Sequence, residues 1–264
     1  MAMIDDRQEF GTIRLWGSFG YAIGVFCTGR LLDLFGISLL FIIHSAFFII
    51  ALLISLKLPI KHSPKKHFKL SEAFGLFSKP AFLFFLLFSF TLHLSVHANN
   101  TFYAIHLEDM GATITLIGTA LLIKSILEVP FFAMSKQFMA RFSYAMLLSV
   151  AAITYAIRWL ILGIGESLAV LIWSQILLSL AYSIQYFTSI AYVDWMTPQK
   201  YRATGQTFYW AITYGLSGLC GNLLAGSLLE HFSIQTLYLW AGVLTLFSIG
   251  FIWIKPQKNV ESSR

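Results

Sequence analysis

Apolar positions in this chain form long unbroken runs, separated by short polar or glycine-bearing turns. The runs lie at roughly 14–34, 37–57, 80–105, 113–135, 144–164, 168–193, 206–229 and 234–254. A helix that crosses the hydrocarbon core needs about 20 mostly apolar residues, and lipid tolerates only helices or closed barrels. Barrel strands alternate apolar and polar side chains, and these runs do not. The pattern predicts an all-α integral membrane protein with eight transmembrane helices. The opening stretch MAMIDDRQEFGTI carries acids and no apolar core, so it is expected not to be a signal peptide.

Composition agrees with this reading. Of 264 residues, 58% are apolar and 11% charged. A soluble chain runs about 45–50% apolar and about 25% charged, so there is too little polar surface here to cover a water-soluble particle. Disorder, a nucleic-acid module and an ordinary cytosolic enzyme are excluded. Cys27 and Cys220 both lie in apolar stretches, which indicates neither a disulfide framework nor a zinc site. No metal and no cofactor is expected.

The net charge of +6 is explained by where the charges sit. If both ends face the cytoplasm, 15 of the 18 lysines and arginines fall on the inner side. Arg30 alone falls outside, and Lys124 and Arg158 fall within spans, while the outer turns hold Asp33, Glu108, Asp109, Glu166 and Glu230. That asymmetry is the positive-inside rule, and it places a multi-pass protein in the cell membrane with both termini cytoplasmic. The basic loop KHSPKKHFKLSEAF at 61–74 is the one plausible linker.

The segment GRLLDLFGISLL (29–40) can be laid on GSLLEHFSIQTL (226–237) with six of twelve positions identical. Both copies fall at the outer turn between two consecutive spans. If the last two spans repeat the first two, the repeat unit is six helices and four helices are expected before residue 1. Parallel six-helix repeats joined by a basic cytoplasmic loop describe the major facilitator architecture. The expected organisation is then residues 1–59 as the last two helices of an N-terminal half, 60–75 as the central loop, 76–255 as the C-terminal six-helix half and 256–264 as a cytoplasmic tail.

Several stretches resemble one branch of that superfamily, the lactose permease and phenylpropionate permease-like (MFS_1-like) branch. EFGTIRLWGSFGYAIG (9–24) resembles its fifth helix, and LFSKP (76–80) the start of the seventh. HANNTFYAIHLEDMG (97–111) is similar to the outer end of that seventh helix. LEVPFF (127–132) resembles the eighth, AIRW (156–159) the ninth, and TPQKYRATGQ (197–206) the loop entering the eleventh. The resemblance covers the chain as helices five to twelve. It implies that Arg14 takes the place of a sugar-binding arginine, that Tyr21 stacks on the solute, and that Arg158 assists proton coupling. The seventh-helix carboxylates of lactose permease fall here on His97 and Asn100, and its tenth-helix His and Glu fall near Leu180 and Ser183. The family's lactose specificity and proton relay therefore do not carry over.

Polar residues at helical spacing mark faces of their own accord. Arg14, Ser18, Tyr21 and Thr28 share one face of the first span. Ser89, His93, His97 and Asn100 share one face of the third. Gln175, Ser179, Tyr182 and Ser189, with Gln185 and Tyr186 alongside, stripe the sixth. Such stripes face either a shared aqueous cavity or a neighbouring helix as interhelical glue. Arg14, Ser18, Tyr21, His97, Asn100, Gln175 and Tyr182 are the candidate substrate-binding residues.

A charge at a helix centre is expensive, about 2.5–3.5 kcal/mol on insertion scales. Lys124 and Glu128 stand at i, i+4 and are expected to neutralise each other, either as a coupling pair or as a structural bridge. Glu128, Arg158 and Lys124 are the candidate proton-coupling residues, and depth along the helices places Arg158 within reach of His97 or Asn100. Asp194 is expected to pair with Lys200 or Arg202, and His44 and His106 to be packed neutral. Gly17, Gly20 and Gly24, and Gly215, Gly218 and Gly221, read as close-packing faces.

The expected function is transport of a small organic solute, a sugar or an aromatic acid, by proton-coupled symport with alternating access and the proton gradient as driving force. The partners expected are the lipid bilayer, the solute and a separate chain supplying the first four helices, with no nucleic acid. The alternative is a truncated or split permease without activity on its own. A remote alternative is an intramembrane serine protease built on Ser217 in GLSG (215–218), which needs a histidine within hydrogen-bond reach.

Overall fold

The computed structural model describes residues 7–57 and 79–254, and within the first helix it leaves aside the side chains of residues 7–16, 18, 19 and 22. The linker 61–74 and the tail lie outside the described residues.

Every described element is helical. Helix α1 spans Arg7–Phe35 and α2 Leu39–Ser55. Then follow α3 (Pro80–Asp109), α4 (Ile114–Ala133), a short α5 (Ser135–Arg141) and α6 (Tyr144–Ile164). Helix α7 runs Leu168–Met196 with a break at Ser174, α8 runs Gln199–Leu229, and α9 spans Ile234–Ile254. Six of these, α3, α4 and α6–α9, are long and apolar enough to cross a membrane. The chain is thus a multi-pass membrane protein by length and composition.

Local chemistry sets the helix ends. Pro80 opens α3 at a position where no backbone N–H is needed. Thr113 and Ser143 cap α4 and α6 by accepting from the amides of Leu116 and Met146, each at 3.2 Å. Gly36 and Gly111 take φ of +83° and +89°, the left-handed turn that closes α1 and α3. Residues 29–40 and 226–237, similar in sequence, occupy the same structural place: helix end, turn, next helix start.

Helix α3 is the hub. It packs on α8 and α9, α6 packs on α9 and α7, and α4 bridges α7 and α1. Phe82, Phe85, Phe88, Leu92, Tyr155 and Trp159 form the centre of one continuous core. Close approach is permitted where side chains are missing: a Cβ on Gly221 would lie 2.6 Å from the Leu94 carbonyl oxygen of α3. Gly29 of α1 meets Gly118 of α4, where an added Cβ would lie 3.8 Å from the partner's Cα. Asp33 of α1 accepts from both the amide (2.9 Å) and the hydroxyl of Thr115 at the start of α4.

The expectation that all six glycines pack closely is corrected in part. Gly218 lies against the His97 ring and Gly221 against Leu94, but Gly20, Gly24 and Gly215 have no neighbour within 4 Å among the described residues. Helix α2 is similarly bare. None of its residues is buried, and Phe41 is 75% exposed. A helix that is apolar all round and, among the described residues, meets only α1 is a lipid- or protein-facing element, never a water-facing one.

Candidate functional site

A cavity of about 470 Å³ opens between α1, α3, α4, α6, α7 and α8. Five of the seven candidate binding residues line it: Tyr21, His97, Asn100, Gln175 and Tyr182. Arg14 and Ser18 sit on α1, with their side chains outside the described residues. Lys124 also lines the cavity, whereas Glu128 and Arg158 stand behind its wall.

The helical period explains why α3 dominates the lining. His93, His97, Asn100 and Tyr103 recur every three or four residues, so their side chains stack on one face. A carbonyl oxygen only accepts, so His93 donates from Nδ1 to the Ser89 carbonyl (2.7 Å) and His97 donates from Nε2 to the Thr213 carbonyl (2.8 Å). In neutral rings this leaves His93 Nε2 and His97 Nδ1 holding the lone pairs. Tyr214 lies against both rings, at centroid distances of 6.2 and 5.6 Å.

Thr213 is free to accept because α8 changes its winding there: Ala211–Leu216 form a π-helical turn. Such turns loosen the i→i−4 ladder and recur at functional sites. Ser217 donates to the same carbonyl and is fully buried. Its hydroxyl and the nearest histidine are thus both held by one backbone oxygen.

The stripe on α7 divides between cavity and glue. Gln175 and Tyr182 line the cavity. Ser179 donates to the Lys124 carbonyl of α4 (2.8 Å), and Gln185 donates to the Tyr209 hydroxyl of α8 (2.7 Å) and to Ser189 (3.1 Å). Ser179 and Gln185 thus fasten α7 to its neighbours.

The charges are disposed unevenly. Lys124 Nζ meets Glu128 Oε1 at 2.6 Å and lies 4.6 Å from the centre of the Tyr182 ring. Arg158, fully buried, donates from Nη1 to Asn99 Oδ1 at 2.9 Å. The expected meeting with His97 or Asn100 is therefore corrected to Asn99. Adjacent helix positions point about 100° apart, and it is Asn99 that turns toward α6 while Asn100 turns to the cavity. Asp194 accepts from Gln206 at 3.0 Å. His106 is 1% exposed against Tyr238, and His44 packs on Phe48 of α2.

His93, Asn99, Tyr103, Tyr155 and Tyr214 also belong to the site, although the polar stripes did not single them out as binding residues. His93 and Tyr103 extend the α3 periodicity and were legible from it. Tyr155 and Tyr214 come from helices with no polar stripe of their own.

Among known proteins, the chain is 28% identical over 259 residues to an uncharacterised transporter, YwbF, of Bacillus subtilis (strain 168), covering 97% of this chain and 65% of that one. It is 27% identical over 252 residues to a maltose permease of Geobacillus stearothermophilus, covering 95% of this chain and 64% of that one. The chain therefore spans just under two thirds of the length of these relatives. A crystal structure of a mutant nucleoside transporter, NupG, superposes with a TM-score of 0.77 at 20% identity, over 95% of this chain and 69% of the other, which shows the fold. Residues 2–240 match the family of major facilitator proteins described as MFS_1 like, and the chain belongs to it.

Proposed function

We propose that the chain builds the solute-binding part of a cofactor-free transporter, which moves a small organic solute, a sugar or an aromatic acid, by alternating access coupled to protons. The observation that carries this reading is the 470 Å³ cavity, walled by six helices and lined with His, Asn, Gln and Tyr side chains in an otherwise apolar bundle. Its size is that of a small-molecule site, and midplane polar groups between helices of this fold surround the cargo. Glu128, buried beside the cavity and neutralised by Lys124, is the proton carrier. Protonation of the carboxylate releases Lys124, whose ammonium already faces the cavity. His97 assists from α3. Arg158, by the resemblance, is the third member of the coupling set.

Among the described residues α2 is exposed and Gly20 and Gly24 of α1 meet no neighbour, which supports a second part of the reading. A completed alternating-access unit has further helices against α1 and α2, four in the twelve-helix scheme, on this polypeptide or another. The chain then supplies helices five to twelve, with both ends cytoplasmic.

In the completed transporter, reconstituted in vesicles, Glu128→Gln is expected to abolish pH-driven accumulation of solute and to leave exchange partly intact. Unchanged uphill uptake rejects Glu128 as the proton carrier. Full uptake by eight helices reconstituted alone rejects the need for the further wall.

A further inference from the structure

We infer that Arg158 anchors a carboxylate of the solute, so that the cargo of this cavity is a small organic anion; this deepens the transporter reading and rests on it. It also moves Arg158 from proton coupling to substrate recognition.

Arg158 is fully buried on α6, and its guanidinium keeps its charge at any pH a cell meets. Among the described residues no carboxylate pairs with it. Nη1 is engaged by Asn99, while Nε and Nη2 are buried with no partner. Those two N–H groups lie side by side on one edge of the planar group, the fork that accepts both oxygens of a carboxylate. The rings of Tyr103 and Trp159, each with its centre 5.0 Å from the guanidinium carbon, hold the plane.

The surroundings are orphaned in the same way. Tyr103, Tyr155 and Tyr238 all lie within electrostatic range of the guanidinium. The hydroxyls of Tyr155 and Tyr238, and both amide atoms of Gln175, are buried without partners. Buried polar groups in native proteins are nearly always paired, so this many together in one place mark the seat of a missing ligand. Every orphaned group except the Gln175 oxygen can donate, and the one cation among them has no counter-charge. Waters would fill hydrogen bonds but leave the charge unanswered. A sugar would do the same.

The cluster is continuous with the cavity, because Asn99, Tyr103, Tyr155 and Gln175 line it. Lys124 is the contrasting case: Glu128 already answers its charge, so it does not call for an anion.

The test uses the full chain purified in detergent, with thermal unfolding followed at pH 7. The probes are 3-phenylpropionate, its neutral amide, and maltose. The carboxylate is expected to protect, and the amide and maltose are not. Arg158→Lys, which keeps the charge but loses the fork, is expected to weaken protection roughly 10-fold. Arg158→Met should abolish it while the unliganded protein melts no lower than the parent, since an unanswered buried charge has been removed. A lower melting point with protection retained marks a purely structural arginine and overturns the inference. So does equal protection by acid and amide, protection by maltose that survives Arg158→Met, or no protection by any probe at millimolar concentration. These results leave the transporter reading standing. Carboxylate binding that depends on Arg158, with no uptake by the completed transporter, sinks that reading instead.

Discussion

A charge inside an apolar helix bundle is costly unless something answers it. Lys124 and Glu128 answer each other at 2.6 Å within one helix. Removing one member leaves the other buried and uncompensated, which costs about 3–5 kcal/mol, whereas removing both is often neutral. Lys124→Met is therefore expected to destabilise the protein more than the double change Lys124→Met with Glu128→Met. Thermal unfolding of the four members of that cycle checks it, and equal losses in the single and double variants refute the pair. His97 offers a second case. Its Nε2–H shares the Thr213 carbonyl with Ser217, which still holds that oxygen when the ring is gone, so His97→Leu should cost only about 0.5–1.5 kcal/mol of stability on the same measurement. The Lys124–Glu128 contact was legible in the sequence, because i, i+4 spacing on a helix puts both side chains on one face within reach of each other. The Asn99–Arg158 bond was not. Which of two adjacent asparagines turns toward α6 depends on the rotation of α3 about its axis, and tertiary packing sets that rotation.

At the scale of elements, the glycines separate into two kinds. Gly221 has no room for a methyl group beside Leu94, so Gly221→Ala must push α8 off α3 at a cost of about 1–3 kcal/mol. Gly24→Ala meets no neighbour among the described residues and should leave the melting point unchanged or slightly raised. Comparing the two variants by thermal unfolding tests the assignment, and a large loss from Gly24→Ala alone would reject it. The repeat spacing of small residues suggested both faces equally, because a small-residue stripe records where a partner fits but not whether one is present. The α7 stripe behaves alike. Its period was visible, yet only packing decided that Gln175 and Tyr182 face the cavity while Ser179 and Gln185 fasten neighbouring helices.

At the scale of the whole molecule, the distribution of lysine and arginine predicts an orientation with both ends of the chain on the cytoplasmic side. With Cys27 and Cys220 replaced by Ala, Glu166→Cys is expected to react with a membrane-impermeant maleimide in intact cells. Gln199→Cys should react only once the membrane is opened. The reverse pattern would invert the topology.

Helix type and membrane residence follow from the sequence alone, because each depends on about 20 consecutive side chains meeting lipid and not on any distant partner; of the eight spans expected, six are membrane-length helices among the described residues. The 29–40 pattern recurs at 226–237, and each copy lies where one helix ends and the next begins. What tertiary structure alone decided is the identity of the site. The cavity draws its walls from six helices scattered over nearly two hundred residues, and the orphaned edge of Arg158 exists only because α3, α6, α7 and α9 enclose it. Hydrophobicity is a local sum and can be read along a chain. A missing hydrogen-bond partner is a statement about every neighbour at once, and only the assembled bundle contains it.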